Sequence, residues 1–366
     1  MWLISKLGAL CPSRQNGTDS LAGGLLISLE LITVLLWLVR KVRKNRSRIC
    51  KLLGFEWRGQ VEPERDSPNY QPKIIWENVS LFGIAHLFAL YGLYLMWSSA
   101  KWQTTVWAFG LHLSCLYSIP GGVHRLYSHR AFKATRLYEV VIMILQTTLL
   151  QNDIIHWARD HRCHHKFVDT NADPYSAKRG FFFSHCGWLL IERHPDVIRQ
   201  GKKIDVSDLE ANPVLRFQQD YYPVLVLLFH NILPTLLPVL LWQERVWTAY
   251  FCAVPLVWVL SLNCTWFINS IAHYGMLGKR PYSKKMTPVD LPAVLNLLTA
   301  GEADHNFHHC FPQDYYSSER RGIFYLSGNF IKFCSYLGLT YDLKVTPAGL
   351  IQRTKQRNGF DPKLDY

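Results

Sequence analysis

The sequence predicts a mainly α-helical integral membrane protein in which two transmembrane hairpins carry a polar cap. Three observations predict it. Four apolar runs occur as two pairs, and only a few residues separate the members of each pair. Tryptophan and tyrosine number 13 and 18, a supply expected where rings sit at membrane–water interfaces. Basic residues are unevenly placed: residues 40 to 77 hold ten Lys and Arg, whereas the two short turns hold Lys101 and Arg245 alone. By the positive-inside rule the long loops then face the cytosol and the turns face the lumen.

The 366 residues suffice for one large domain or two ordinary ones. Residues 1–20 read as a disordered N-terminus. Leu21 to Val39 is a run of nineteen mostly apolar residues, long enough to cross a hydrocarbon core of about 30 Å. Its basic flank follows the run, the reverse of a secretory signal peptide. Residues 21–40 therefore read as an extra N-terminal membrane anchor with a lumenal N-terminus. Glu30 within the run favours the alternative, a helix lying in the interface. Asn16-Gly17-Thr18 is a glycosylation sequon on that lumenal side. Residues 41–74 form a basic cytosolic linker punctuated by Pro63, Pro68 and Pro72. The net charge of +13 raises nucleic acid as a partner. The block Arg40 to Lys51, directly after an apolar run, fits anionic membrane lipid better, and nucleic acid is set aside.

Residues 75–345 make up the main domain. Val79 to Trp97 and Val106 to Ile119 form the first hairpin, turning at Ser99 to Gln103. Pro120-Gly121-Gly122 ends that regular pattern. Tyr138 to Leu150 is apolar but too short to span, and belongs at the interface. Trp157 to His165 follows, then a loop containing Asp173-Pro174. Tyr222 to Trp242 and Val246 to Cys264 form the second hairpin, joined by Gln243-Glu244-Arg245. Residues 346–366 read as a cytosolic C-terminal tail. The nine cysteines are scattered without a CxxC pair, so neither a zinc ribbon nor a disulfide framework is indicated. Cys163 and Cys310 lie beside histidine runs and read as buried, reduced residues in preference to thiolate ligands.

Eight of the fifteen histidines fall in three short runs. His161-Arg162-Cys163-His164-His165 repeats its HxxHH spacing in His305-Asn306-Phe307-His308-His309, and His124 and His129 form a looser pair. At about 100° per helical residue, the three imidazoles of each HxxHH run share one face. His124 and His129 would stand about 140° apart on a straight α-helix, so that pair needs a helix end or an unwound turn. Asn269 and His273 are spaced i, i+4 at the cytosolic end of the last span and add a ninth histidine. Neutral imidazole suits iron, zinc and copper. A single hydrolytic zinc needs about three ligands, so this number of histidines points to two metals. Two irons beside long apolar spans point to oxygen activation on an alkyl chain. The Rossmann glycine fingerprint is missing, so electrons would come from a partner.

His124-Arg125-Leu126-Tyr127-Ser128-His129-Arg130, Trp157 to Lys166 and His305 to His309 resemble the three histidine boxes of the membrane acyl-CoA Δ9 desaturases (stearoyl-CoA desaturases). Arg179 to His185 and Asn269 to His273 resemble further motifs of that family. The resemblance covers roughly residues 70 to 345. It implies a four-helix transmembrane bundle under a cytosolic helical cap that holds a di-iron site. It implies an endoplasmic reticulum enzyme that places a cis double bond in a saturated fatty acyl-CoA. Dioxygen is the oxidant, and cytochrome b5 with NADH-cytochrome b5 reductase supplies the electrons. By resemblance, His124, His129, His161, His165 and His309 hold one iron. His164, His273, His305 and His308 hold the other, with Asn269 acting through a water. No separate catalytic acid or base is assigned. Asn78, Asn152, Trp157, Arg159, Asp160, Arg193 and Trp266 are the expected acyl-CoA contacts.

Departures from the family pattern carry expectations of their own. Glu192 stands where a basic residue is usual and would weaken CoA binding. Asp304 replaces an aromatic; it would orient a ligand histidine or disturb the site. Ala303 replaces a glycine. His112 lies twelve residues before His124, about 18 Å down a helix. The family often has a small residue there, at the closed end of the acyl tunnel, so a larger side chain would favour shorter acyl groups. Two alternatives stay open: a related di-iron hydroxylase or desaturase of other regioselectivity, and an inactive metal-binding membrane relative.

Overall fold

A computed structural model describes residues 72–275 and 277–359. The expected N-terminal anchor, its sequon, most of the basic linker and the last seven residues lie outside the described residues.

Four long apolar helices dominate the described chain. Helix α1 is Trp76–Ser98. Helix α2, Trp102–Ser118, continues without a break as a π-helix, Ile119–Ser128. The third span joins α5 (Pro213–Val226), a π-helical stretch Leu227–Ile232 and α6 (Leu233–Trp242). The fourth joins α7 (Val246–Ala253) and α8 (Pro255–Ser270), then closes with a 3-10 turn at Ile271–His273. Between the hairpins lie α3 (Arg136–Thr148) and α4 (Ile154–Phe167). After them come α9 (His305–Cys310), α10 (Leu326–Tyr336) and α11 (Ala348–Arg357). A two-stranded antiparallel ribbon pairs Lys133 with Tyr341 and Ala134 with Thr340.

The spans expose apolar side chains outward, including Leu87, Leu90, Trp97, Phe109, Leu240 and Leu241. A helix whose outer face is apolar over this length needs lipid against it. The two hairpin turns are tied together. Glu244 accepts hydrogen bonds from the Lys101 amide at 2.8 Å and the Thr104 hydroxyl at 2.6 Å. Lys101 Nζ donates to the carbonyls of Trp242 and Gln243, and Trp242 Nε1 donates to Thr104. Closer to the cap, Gly92 lets α1 approach α7, since a Cβ there would overlap the Phe251 carbonyl. With the turns clamped at one end, the other ends of all four spans point to the cap.

The third span begins at Pro213, nine residues before the expected Tyr222. The extra turns carry Arg216, Gln218, Gln219 and Asp220, so hydropathy misses them. Asn212 caps this helix by accepting from the Val214 amide at 2.9 Å, and Pro213 supplies a preset first turn. The second difference is at Pro120-Gly121-Gly122, where the helix widens instead of ending. Pro120 cannot donate to the α ladder, and an i→i+5 pattern carries the chain past it. Gly122 packs against α3 with no room for a side chain: a Cβ would overlap Ile142. The core of the cap forms here, from Val123, Phe132, Ile142, Ile154, Leu215 and Ile331. The segment expected as a tail begins with α11, which packs through Ile351 and Lys355.

Candidate metal centre

The π-helix solves the spacing of the first histidine pair. Its amide–carbonyl bond from His129 to His124, at 3.1 Å, spans five residues. One π turn therefore stacks residues i and i+5, and both imidazoles project to the same side. The second run sits on α4, whose start is capped by Asp153 accepting from the His156 amide at 3.0 Å. The third run is α9 itself, and His273 closes the fourth span. Every cluster thus sits at the cap end of a span or on a helix packed there.

These elements gather nine histidines into two groups. His124, His129, His161, His165 and His308 form the first, and His164, His273, His305 and His309 form the second. In each group one nitrogen per residue lies within 4.8 Å of all the others. Several Nε2 atoms are closer still: His124 to His308, His129 to His161 and His165 to His308 are each 2.9 Å apart. In the second group His273 lies 3.1 Å and His309 3.2 Å from His305. Two ligands at right angles, each about 2.1 Å from one ion, would stand about 3.0 Å apart. The nitrogens therefore have the spacing of a coordination shell. The groups abut, with the His165 and His309 rings stacked at 4.1 Å.

The partition corrects the assignment drawn from resemblance: His308 joins the first group and His309 the second. Helical spacing gives the reason. In α4 the i, i+4 pair His161 and His165 serves one group and His164 the other. In α9 the i, i+4 pair His305 and His309 serves one group and His308 the other. Asn269 lies on the last turn of α8, partly buried, four residues before His273.

Burial pushes His129, His161, His165, His308 and His309 well below the ordinary imidazole value, and neighbouring imidazoles add to the effect. His305 is pushed down to about 3 by the same burial. The rings are therefore neutral at pH 7, with lone pairs free for a metal. The donor set fits two nitrogen-ligated transition metal ions.

The far nitrogens are also held. His124 Nδ1 lies 3.3 Å from Glu302, which the fully buried Arg125 grips through Nε at 2.9 Å and a terminal nitrogen at 2.6 Å. His164 Nδ1 lies 2.8 Å from Asp173, His161 Nδ1 3.2 Å from the Tyr175 hydroxyl, and His273 Nδ1 3.0 Å from the Thr287 hydroxyl. Sequence reasoning missed these partners. Glu302, three residues before the third run, and Asp173, marked only as a loop residue, were the visible signals. The carboxylate of Asp304, expected to orient a ligand histidine or disturb the site, meets Arg320 and Ser318 instead of a histidine. Cys163 donates to the Ala172 carbonyl at 3.4 Å, and Cys310 packs against an aromatic cluster. Burial pushes both thiols up to about 12, and neither joins a histidine group.

The expected acyl-CoA contacts fall in separate places. Arg159, Asp160 and Arg193 meet in one cluster, with Arg193 donating to Asp160 at 2.8 Å and Arg159 at 3.2 Å. Burial alone would raise Asp160, but Arg193, His156 and Arg159 hold it well below the usual carboxylate range. Trp157 stacks over His161 at 5.0 Å. Asn152 takes a left-handed backbone, φ 65°, and its carbonyl accepts from Gln146. Asn78 donates to the Leu189 carbonyl at 2.6 Å. Trp266 is buried between spans, edge-on to Phe82 at 5.6 Å. Glu192 is exposed beside Arg193. His112 Nδ1 lies 3.1 Å from the Ser261 hydroxyl, between the second and fourth spans.

Residues 100–318 match the family described as fatty acid desaturase. The Delta(9)-fatty-acid desaturase fat-7 of Caenorhabditis elegans is 44% identical over 302 residues, covering 82% of this chain and 88% of that protein. Stearoyl-CoA desaturase 5 of Bos taurus is 44% identical over 290 residues, 79% and 85% of the two chains. The Acyl-CoA Delta12-desaturase of Acheta domesticus is 46% identical over 292 residues, 79% and 81% of the two chains.

Proposed function

We propose, from the premise that this chain belongs to the fatty acid desaturase family, that it is a membrane di-iron acyl-CoA desaturase. Its reaction places a cis double bond, at Δ9, in a saturated fatty acyl-CoA. The observation that carries the reading is the gathering of nine histidines into two adjoining groups at the cap end of four apolar spans. His124, His129, His161, His165 and His308 would hold one iron. His164, His273, His305 and His309 would hold the other, with Asn269 contributing through a water. Iron with dioxygen and two electrons supplies an oxidant strong enough for an unactivated C–H bond. Cytochrome b5 and its NADH-dependent reductase would deliver the electrons to a cytosolic cap on the endoplasmic reticulum membrane.

The protein's own residues bind and orient the substrate. Arg159 and Arg193 offer guanidinium forks to CoA phosphate, and Asp160 fixes both. Asn78 and Asn152 can hydrogen-bond the thioester end. Trp157 stacks over His161 and shares α4 with Arg159 and Asp160, so α4 would set the distance from thioester to histidines. Trp266 lines the path between the spans, and His112 would narrow its closed end. Glu192 places a negative charge beside Arg193 and would weaken CoA binding.

The Acheta domesticus relative named as a Delta12-desaturase supports a second reading in which only the bond position differs. Expression in cells lacking their own Δ9 desaturase, followed by lipid analysis, tests both. A Δ9 product supports the first reading and a shifted double bond the second. No unsaturated acyl product with cytochrome b5 present refutes the enzyme reading.

A further inference from the structure

We propose, resting on the two-iron reading above, that the segment from Asp169 to Tyr175 is a positioning loop that makes the two histidine groups electronically unequal. The loop follows α4 directly, touches two of its histidines, His161 and His164, and reaches a third, His273, through Thr287. Asp173 is 1% exposed, and its Oδ1 lies 2.8 Å from His164 Nδ1. Two loop amides hold that carboxylate in place: Tyr175 donates to Oδ1 and Asp169 to Oδ2, each at 3.1 Å. The Tyr175 hydroxyl lies 3.2 Å from His161 Nδ1. Asp169, in a left-handed backbone with φ 66°, accepts from the Thr287 hydroxyl at 2.6 Å and the Thr287 amide at 2.8 Å.

Thr287 turns this contact into a proton assignment. A hydroxyl has one hydrogen, and Asp169 takes it. The oxygen that faces His273 Nδ1 at 3.0 Å must then accept, so Nδ1 carries the proton and Nε2 is bare. The acceptor-only Asp173 fixes His164 the same way. In both residues the bare nitrogen is the one left for the second group.

The charge is distributed unequally. Two of the second group's four histidines lean on carboxylates, one directly and one through a hydroxyl. Among the described residues no lysine or arginine pairs with Asp169 or Asp173. Among the described residues the first group has a single carboxylate, Glu302, whose charge Arg125 meets. Its other outer contacts are hydroxyls, Tyr175 on His161 and Ser317 on His308. A carboxylate on the far nitrogen raises the basicity of an imidazole ligand. The ion in the second group therefore sits among the stronger donors.

Iron-57 Mössbauer spectroscopy of the full chain tests this without reference to turnover. The wild type should show two doublets of equal area. Asp173→Asn keeps the shape but removes the charge; it should shift one doublet, leave the other, and loosen that iron by about 10–100-fold against a chelator. Asp173→Glu should restore most of the shift. Thr287→Val breaks the relay without touching Asp173 and should move the same doublet, which keeps the test open if Asp173→Asn does not fold. Both doublets unchanged in these variants, or both shifted alike, overturns the loop's role. Fewer than two irons in the wild type overturns the underlying two-iron reading instead.

Discussion

Replacing Arg125 by methionine tests the energetics of the site's support. Arg125 is fully buried and makes four hydrogen bonds: two to Glu302, one to the Tyr315 carbonyl at 2.8 Å and one to the Gly301 carbonyl at 3.3 Å. Arg125→Met would leave Glu302 buried with only His124 beside it at 3.3 Å. Stripping one partner from a buried pair costs about 3–5 kcal/mol, mostly because the other charge stays behind. Arg125→Met/Glu302→Leu removes that stranded charge, so the double variant should recover at least ~1 kcal/mol over the single one. Denaturant unfolding of the detergent-solubilised chain reads both differences. The pH dependence has a definite sign. In the wild type, burial alone would raise Glu302, but Arg125 and His124 hold it down to about 2. Its contribution is then complete above the unfolded value of about 4.3 and is lost only as pH falls through the folded value. Without Arg125 burial dominates, the carboxyl rises above its unfolded value, and protonation relieves the variant. The deficit of Arg125→Met should therefore shrink on acidification from pH 8 to pH 5. A double variant less stable than the single one, or a deficit that grows on acidification, refutes this reasoning.

Three further outcomes follow from the geometry. Gly122→Val forces a side chain into Ile142 and should lower stability by about 1–3 kcal/mol, with partial recovery in Gly122→Val/Ile142→Ala; thermal unfolding measures both. His112→Ala should lengthen the acyl chains among the unsaturated products, and an unchanged chain-length profile removes His112 from the tunnel end. Deleting residues 347–366 should lower the thermal midpoint and iron retention. Lys355 on α11 pairs with Glu319 at 2.6 Å, Glu319 accepts from the Tyr282 hydroxyl, and the Tyr282 and Ser283 amides donate to Asn306 inside the third histidine run.

Periodicity and hydropathy located the hairpins and both HxxHH runs because each signal is local. Lys101 and Arg245 marked the turns, although not the Glu244 clamp between them, which depends on residues 140 apart and more. Spacing supplied all nine histidines, but neither spacing nor the resemblance gave the partition, since His308 and His309 differ only in how α9 is rotated against α4. The π-helix was foreshadowed by the requirement for an unwound turn at His124 and His129, while Pro120-Gly121-Gly122 alone read as a stop. The supporting roles of Arg125, Glu302, Asp169, Asp173 and Thr287 escaped notice because each exists only through its partner, and a pairing leaves no mark on either residue alone. Asp304 drew attention as an unusual residue and proved to be bonded to Arg320.

Iron analysis of the purified full chain tests the central claim most directly, with paired variants as internal controls. Two irons per chain are expected in the wild type. His305→Ala/His309→Ala should empty only the second group and leave about one iron, whereas His305→Ala/His308→Ala strikes both groups and should retain less. A wild type with one iron or none, or equal retention by the two variants, would contradict the account.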